Sequence, residues 1–171
     1  MDAATTARDR LLHDDRLTAM GLLVETNAGL IATFSAELEA LGVPGSAFEV
    51  MIRLARSPGG RLRMAELAGQ STLTSSGLTR LIDRLVRAGL VERQPCETDR
   101  RGSFAVLTEV GLAQVLAVLP AHLATVSRIY TDVLEPDELD AFLATLRKLR
   151  AVVKPTSDPA IAAELPDVDD A

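Results

Sequence analysis

Residues 64–108 read MAELAGQSTLTSSGLTRLIDRLVRAGLVERQPCETDRRGSFAVLT. The stretch opens with two short helical patterns separated by a Ser/Thr-rich turn. In the second pattern Leu78, Leu81, Ile82, Leu85 and Val86 fall at i, i+3, i+4, i+7 and i+8, one buried stripe of an α-helix. Thr74 stands where an N-cap hydroxyl accepts from an amide of the first turn. Gly89 stands where a left-handed residue closes a helix. The opposite face carries Ser75, Ser76, Thr79, Arg80, Asp83, Arg84 and Arg87. The preceding helix, near Met64 to Gln70, presents Leu67 with the small Ala65 and Ala68, which let two helices cross closely. Leu73 is placed to plug the corner of the turn Gln70-Ser71-Thr72-Leu73.

After Gly89, Leu90 to Gln94 and Phe104 to Thr108 read as two strands. Between them, residues 95–102 form a polar loop with Arg100 and Arg101 near its tip, and Asp99 is able to hold Arg101 through a charge-assisted hydrogen bond. Helix, turn, helix and a two-stranded ribbon, in that order, make a winged helix-turn-helix, a DNA-reading module. Small hydroxyls at Ser75, Ser76 and Thr79 let a helix sit deep in a major groove, where Arg80 and Arg84 reach base edges or phosphates. A basic loop carrying Arg100 and Arg101 suits the narrow minor groove. Taken singly, these features also describe a solvated helix face and a weak surface ion pair. The local charge favours the nucleic-acid reading. Between Gly60 and Thr108 eight arginines meet five carboxylates, a net +3 inside a chain of formal net charge −6.

The same stretch resembles the MarR family of bacterial transcription regulators. The resemblance rests on Ser76-Gly77-Leu78-Thr79-Arg80-Leu81-Ile82-Asp83-Arg84-Leu85, then Gly89-Leu90-Val91-Glu92-Arg93, Asp99-Arg100-Arg101, and Leu107-Thr108-Glu109-Val110-Gly111. It implies a homodimer, a recognition helix in the major groove and a wing arginine in the minor groove. Asp99 and Arg101 match the family's Asp-x-Arg wing pattern. Gly77 departs from the family, which favours better helix formers there, at about 1 kcal/mol of helix propensity relative to Ala. The resemblance further implies a small aromatic or phenolic effector held between the dimer helices and the winged module. Asn27, Ile31, Phe48, Ile52, Arg53 and His122 are the candidate lining residues.

Outward from this module, residues 1–8 read as frayed. From about Asp9 to Leu41 an apolar seam runs through Leu17, Met20, Val24, Ala28, Ile31, Phe34, Leu38 and Leu41, in steps of three and four. Gly21 and Gly29 lie inside it and predict two helices with a kink. Gly42-Val43-Pro44-Gly45 breaks the pattern, Ser46 to Arg56 forms a further helix, and Arg61-Leu62-Arg63 suits a very short strand beside the wing. Thr108 is a second N-cap, with Glu109 favourably placed for the helix dipole. The helix it opens, to about Val133, is predicted to bury Leu112, Val115, Leu116, Leu119, Leu123, Val126, Ile129 and Tyr130, with a kink at Pro120. Pro136 starts the last helix, whose seam is Leu139, Phe142, Leu143, Leu146 and Leu149. From Lys154 to Ala171, three prolines and five carboxylates against one lysine predict a disordered acidic tail.

Composition bounds the rest. Hydrophobic residues make up 47% and aromatics 3%, so a sizeable core is built from Leu, Val, Ile and Ala. One cysteine, Cys96, excludes an internal disulfide. It sits at the wing base beside arginines that would lower a thiol's pKa, but a redox role is the weaker reading. No signal peptide is visible, and no apolar stretch approaches the ~20 residues of a membrane span. A cytoplasmic protein without membrane contact is expected. His13, His122 and Cys96 are too few and scattered for a metal site. Phosphate loop, dinucleotide turn and catalytic constellation are all missing, so neither a cofactor nor an enzyme is expected.

The expected fold is mainly α (α+β). A winged helix-turn-helix over residues 44–108 is flanked by dimerisation helices at 9–43 and 109–153, with the acidic tail at 154–171. The expected function is a homodimeric, ligand-responsive repressor of transcription on a palindromic double-stranded operator. Ser75, Ser76, Thr79, Arg80 and Arg84 would act in the major groove, and Asp99, Arg100 and Arg101 in the wing. The alternative is a winged-helix protein-interaction module without DNA binding.

Overall fold

The computed structural model describes residues 3–96 and 99–154, with side chains from 8 to 96 and from 102 to 154. Helices α1 (Ala3–Leu12), α2 (Asp15–Ala40) and α3 (Gly45–Ala55) lead to strand β1 (Arg61–Arg63). Then follow α4 (Met64–Gln70), α5 (Ser75–Arg87), β2 (Val91–Cys96) and β3 (Asp99–Leu107), and finally α6 (Glu109–Ile129) and α7 (Pro136–Val153). The three strands form an antiparallel sheet in the order β1-β3-β2. The short strand predicted at Arg61-Leu62-Arg63 is therefore present, against β3. The expected acidic tail beyond Lys154 lies outside the described residues.

One core serves the winged module. Met51, Leu54, Leu67, Leu78 and Ile82 are fully buried side chains, contributed by α3, α4 and α5. Val91 and Ala105 seal it from the sheet, and Val115 and Val118 from α6. Leu73 packs on its edge, as the turn's composition predicts. Burying side chains of this size contributes ~1.5–3 kcal/mol each relative to leaving them exposed.

The N-terminal region departs from expectation. Residues 3–8 belong to α1 rather than fraying, and α2 is unbroken through Gly21 and Gly29. The interruption comes earlier, at Asp14, an N-cap whose carboxylate accepts from the Arg16 amide at 2.9 Å and its guanidinium at 2.6 and 2.8 Å. The guanidinium holds the Asp14 carboxyl below the usual carboxylate range. A cap that satisfies a free amide sets a boundary, whereas glycine only lowers propensity.

Helix α6 includes Pro120, as expected, and the missing N–H leaves the Leu116 carbonyl without its intrahelical donor; the helix's burial is what departs from expectation. Leu112, Leu116 and Leu123, predicted as buried, are exposed in the single chain, Leu116 by 55%. Val118, absent from the predicted stripe, is buried instead. On α2 the seam residues Leu17, Met20, Val24 and Ile31 are likewise exposed, and Leu38 alone is fully within the core. These apolar faces are continuous with long helices rather than scattered.

Two segments, Arg8–Ala40 and Glu109–Val133, are long and apolar enough to cross a membrane by length and composition. This corrects the expectation that no stretch approaches a span. Alanine and glycine between the large residues raise the apolar average of helices that present a packing face.

Candidate nucleic-acid interface

Helix α5 is anchored by Leu78, Leu81, Ile82 and Leu85, all buried. Val86 lies outside that stripe and is exposed, a correction to the five-residue pattern. The Thr74 hydroxyl accepts from the Gly77 amide at 3.2 Å, and a Cβ at Gly77 would approach that hydroxyl to 3.1 Å. Glycine there leaves room for the cap, a structural reason for a residue of low helix propensity in the first turn. At the other end Gly89 has φ +71°, the left-handed closure its position predicts.

Anchoring one face fixes the other outward. Ser75, Ser76, Thr79, Arg80 and Arg84 are all exposed on α5. Among the described residues, no side-chain hydrogen bond or ion pair holds Arg80 or Arg84. Thr79 donates to the Ser75 carbonyl at 2.9 Å. Asp83, by contrast, is engaged by Arg93 of β2 at 2.9 Å, and the same guanidinium reaches the Thr79 carbonyl at 3.5 Å.

The turn before α5 is held from α3. Thr72 donates its amide (3.2 Å) and its hydroxyl (3.0 Å) to the two carboxylate oxygens of Glu49. Arg53 also donates to Glu49, at 3.1 Å, and Ser71 accepts from the Leu73 amide at 3.0 Å. After α5, the Thr108 hydroxyl donates to the Gly89 carbonyl at 2.8 Å and accepts from the Gly111 amide at 3.0 Å. One side chain thus joins the end of α5 to the start of α6.

The wing is a longer ribbon than the sequence indicates. Pairing continues through Pro95↔Ser103 to Cys96↔Asp99, with a register shift between Pro95 and Cys96. Residues 95, 96 and 99–102, expected in the loop, are strand, because cross-strand pairing satisfies backbone groups that a loop would leave to water. Asp99, Arg100 and Arg101 lie on β3, and their side chains are outside the described residues. Cys96 is buried, so its thiol is not presented on the ribbon surface.

The six candidate effector residues divide. His122 and Phe48 meet with ring centroids 4.8 Å apart. Phe34 meets the same ring at 5.1 Å, Glu37 reaches its Nδ1 at 3.1 Å, and Thr125 donates to Glu37 at 2.8 Å. Ile52 is partly buried against the core, and Arg53 turns to Glu49. Asn27 and Ile31 lie on the exposed stretch of α2. Sequence reading missed Glu37 and Thr125, which lie more than eighty residues apart in the chain, and had Phe34 only as a seam residue. It also left Asp83, Arg93 and Glu49 without roles. No local signal marks such pairs.

Known proteins share this arrangement. Residues 41–102 match the model of the MarR family. The fold is similar to AbsC, a MarR family transcriptional regulator from Streptomyces coelicolor. Identity is 34%, the TM-score is 0.76, and the match covers 83% of this chain and 96% of AbsC. A second regulator of that family and organism, solved in complex with DNA, shows 29% identity and a TM-score of 0.75, with 84% of this chain and 91% of that one covered. The HTH-type transcriptional repressor YetL of Bacillus subtilis (strain 168) is 32% identical over 111 residues, 63% of this chain and 64% of YetL. The chain thus spans under two thirds of the length of the curated relatives it matches. These relatives are transcription regulators, not enzymes.

Proposed function

This chain belongs to the MarR family, and from that premise we propose that it is a sequence-specific DNA-binding repressor. It acts as a homodimer on a palindromic operator in the cytoplasm and is released by a small aromatic or phenolic effector. The observation that carries the reading is the outward face of α5. Ser75, Ser76, Thr79, Arg80 and Arg84 are exposed together on a helix whose other face is locked into the core. Ser and Thr can donate to or accept from base edges and phosphates, and arginine reads guanine bidentately. Arg101, oriented by Asp99, enters the minor groove, and Arg100 contacts phosphate. The relative solved with DNA supports this use of the fold.

Residues 9–43 and 109–153 serve as the dimer platform, and 44–108 as the DNA-binding unit. Support comes from the apolar faces of α2 and α6 that one chain leaves exposed. Burial of such faces drives association. Two recognition helices reading a palindrome must stand about one helical turn, ~34 Å, apart. The His122, Phe34 and Phe48 rings lie where α2, α3 and α6 meet, between platform and module. An aromatic effector stacked there would change that separation and favour a state unable to span both half-sites.

The test is a fluorescence anisotropy titration with the DNA immediately upstream of the chain's own coding sequence, at two salt concentrations. Sequence-selective binding that weakens steeply with salt is expected. Absence of binding both to that DNA and to a randomised duplex pool would favour a winged helix that serves a protein partner.

A further inference from the structure

Helix α7 ends beside the turn that leads into α5. Lys154 closes α7, its amide donating to the Arg150 carbonyl at 2.8 Å. Its side-chain Nζ donates to the Ser71 carbonyl at 3.1 Å, across 83 residues of chain. Ser71 is the C-cap of α4, and Thr74, three residues on, is the N-cap of α5. The point from which residues 155–171 depart is thereby held next to the start of α5.

The chemistry of that segment complements the face it departs beside. Residues 155–171 contain Asp158, Glu164, Asp167, Asp169 and Asp170 and no lysine or arginine. On α5, Arg80 and Arg84 are exposed, and among the described residues no side-chain hydrogen bond or ion pair holds either one. The carboxylate that lies between them in sequence, Asp83, is engaged by Arg93. A guanidinium fork binds carboxylate oxygens with the same N–H pair that it offers to phosphate. Reach is ample. Asp158 is four residues past Lys154, at most ~14 Å when extended, and Arg80 is six residues past Thr74, a rise of about 9 Å along the helix. A ligand tethered this closely acts at an effective concentration on the order of millimolar, enough for weak ion pairs to be populated.

We propose that residues 155–171 seat along the Arg80 and Arg84 face of α5 and compete with duplex DNA for it, an autoinhibitory contact within one chain. The inference rests on the DNA-binding function proposed for α5 and adds a regulation of that same face. DNA must displace the acidic segment before it binds, so the apparent affinity is reduced by the fraction of molecules in which the face is open. The competing explanation is that the carboxylates are solvated and serve only to keep the protein soluble.

The test uses the full-length protein and the variant D158N/E164Q/D167N/D169N/D170N, which keeps the chain length and removes the charge. D158E/D167E/D169E/D170E, which keeps the charge, is the control, and thermal melting checks folding. Two readouts are taken. The first, without DNA, is the set of backbone amide chemical shifts of residues 75–84 in the ¹⁵N-labelled proteins. The second is affinity for a duplex that the wild-type protein selects from a randomised pool, across a salt series. Neutralising the segment is expected to move the α5 amides and to tighten DNA binding about threefold to tenfold at low salt. The gain should shrink as salt screens the exposed charges, and the variant's salt slope should be the steeper, because wild type already has carboxylates on the arginines that DNA would neutralise. The charge-conserving control should match wild type in both readouts. Unmoved α5 amides would overturn the inference, whatever the affinities, since tighter binding alone is also what general repulsion between an acidic segment and DNA produces. Moved amides with equal affinity would overturn the competition. Failure of all three proteins to bind any duplex would overturn the DNA-binding reading, and the competition with it, while the amide shifts would still report whether the segment seats on α5.

Discussion

Asp83 on α5 and Arg93 on β2, the first wing strand, are joined by a 2.9 Å ion pair. The two parts of the proposed DNA-facing surface, α5 and the wing, are thereby tied to each other. Both side chains are more than a third exposed, so the pair contributes little to stability, typically under ~1 kcal/mol. Its value is geometric. Asp83→Ala should leave the melting temperature nearly unchanged and weaken operator binding by about tenfold, ~1.4 kcal/mol. Parallel melting and anisotropy measurements check this. An affinity equal to wild type would mean that the core alone sets the angle.

Gly111 has no room for a side chain. A Cβ there would lie 2.2 Å from the Leu90 carbonyl oxygen and 2.7 Å from a Leu107 methyl. The first neighbour is backbone and cannot rotate away. Gly111→Ala should therefore destabilise by at least the ~1–3 kcal/mol of an overpacked core, read as a lowered urea midpoint.

Thr108 makes two hydrogen bonds that bridge α5 to α6. Thr108→Ala removes a cap and leaves the Gly89 carbonyl without its hydroxyl donor. The expected loss is about 1–2 kcal/mol, at the upper end for an N-cap. Thr108→Ser should recover most of it, since serine caps at least as well. Chemical denaturation of the three proteins distinguishes a capping role from loss of the threonine methyl.

Leu116 and Leu123 present exposed apolar surface on α6. If that surface is the subunit interface, Leu116→Asp places a charge in an apolar contact and should halve the mass seen by light scattering while leaving helix content intact. An unchanged dimer mass would move the interface elsewhere.

The winged module was legible because its signals are local. The Leu78-Leu81-Ile82-Leu85 stripe, the Thr74 and Thr108 caps and the Gly89 closure each depend on residues within a few positions of one another. Pro136 at the start of α7 is of the same kind. What stayed hidden is long-range or relative. Glu37 and His122 meet only after α2 and α6 pack, and Asp83 pairs with Arg93 only once the ribbon folds back. Periodicity marks an apolar face on α6 but not which partner covers it, so Leu112, Leu116 and Leu123 look like core residues in sequence and are exposed in one chain. Glycine misled on α2, because Gly21 and Gly29 have open space around them and weaken the helix without ending it.

The most direct measurement compares the affinity of the protein for its selected duplex with that for random duplexes of equal length, at two salt concentrations. Selected binding should be tighter by a factor on the order of 10³ or more. Both affinities should fall with salt, and Arg80→Ala should reduce the ratio more than it reduces random binding. Equal affinity for selected and random duplexes, or a ratio untouched by Arg80→Ala, would contradict the claim that α5 reads sequence.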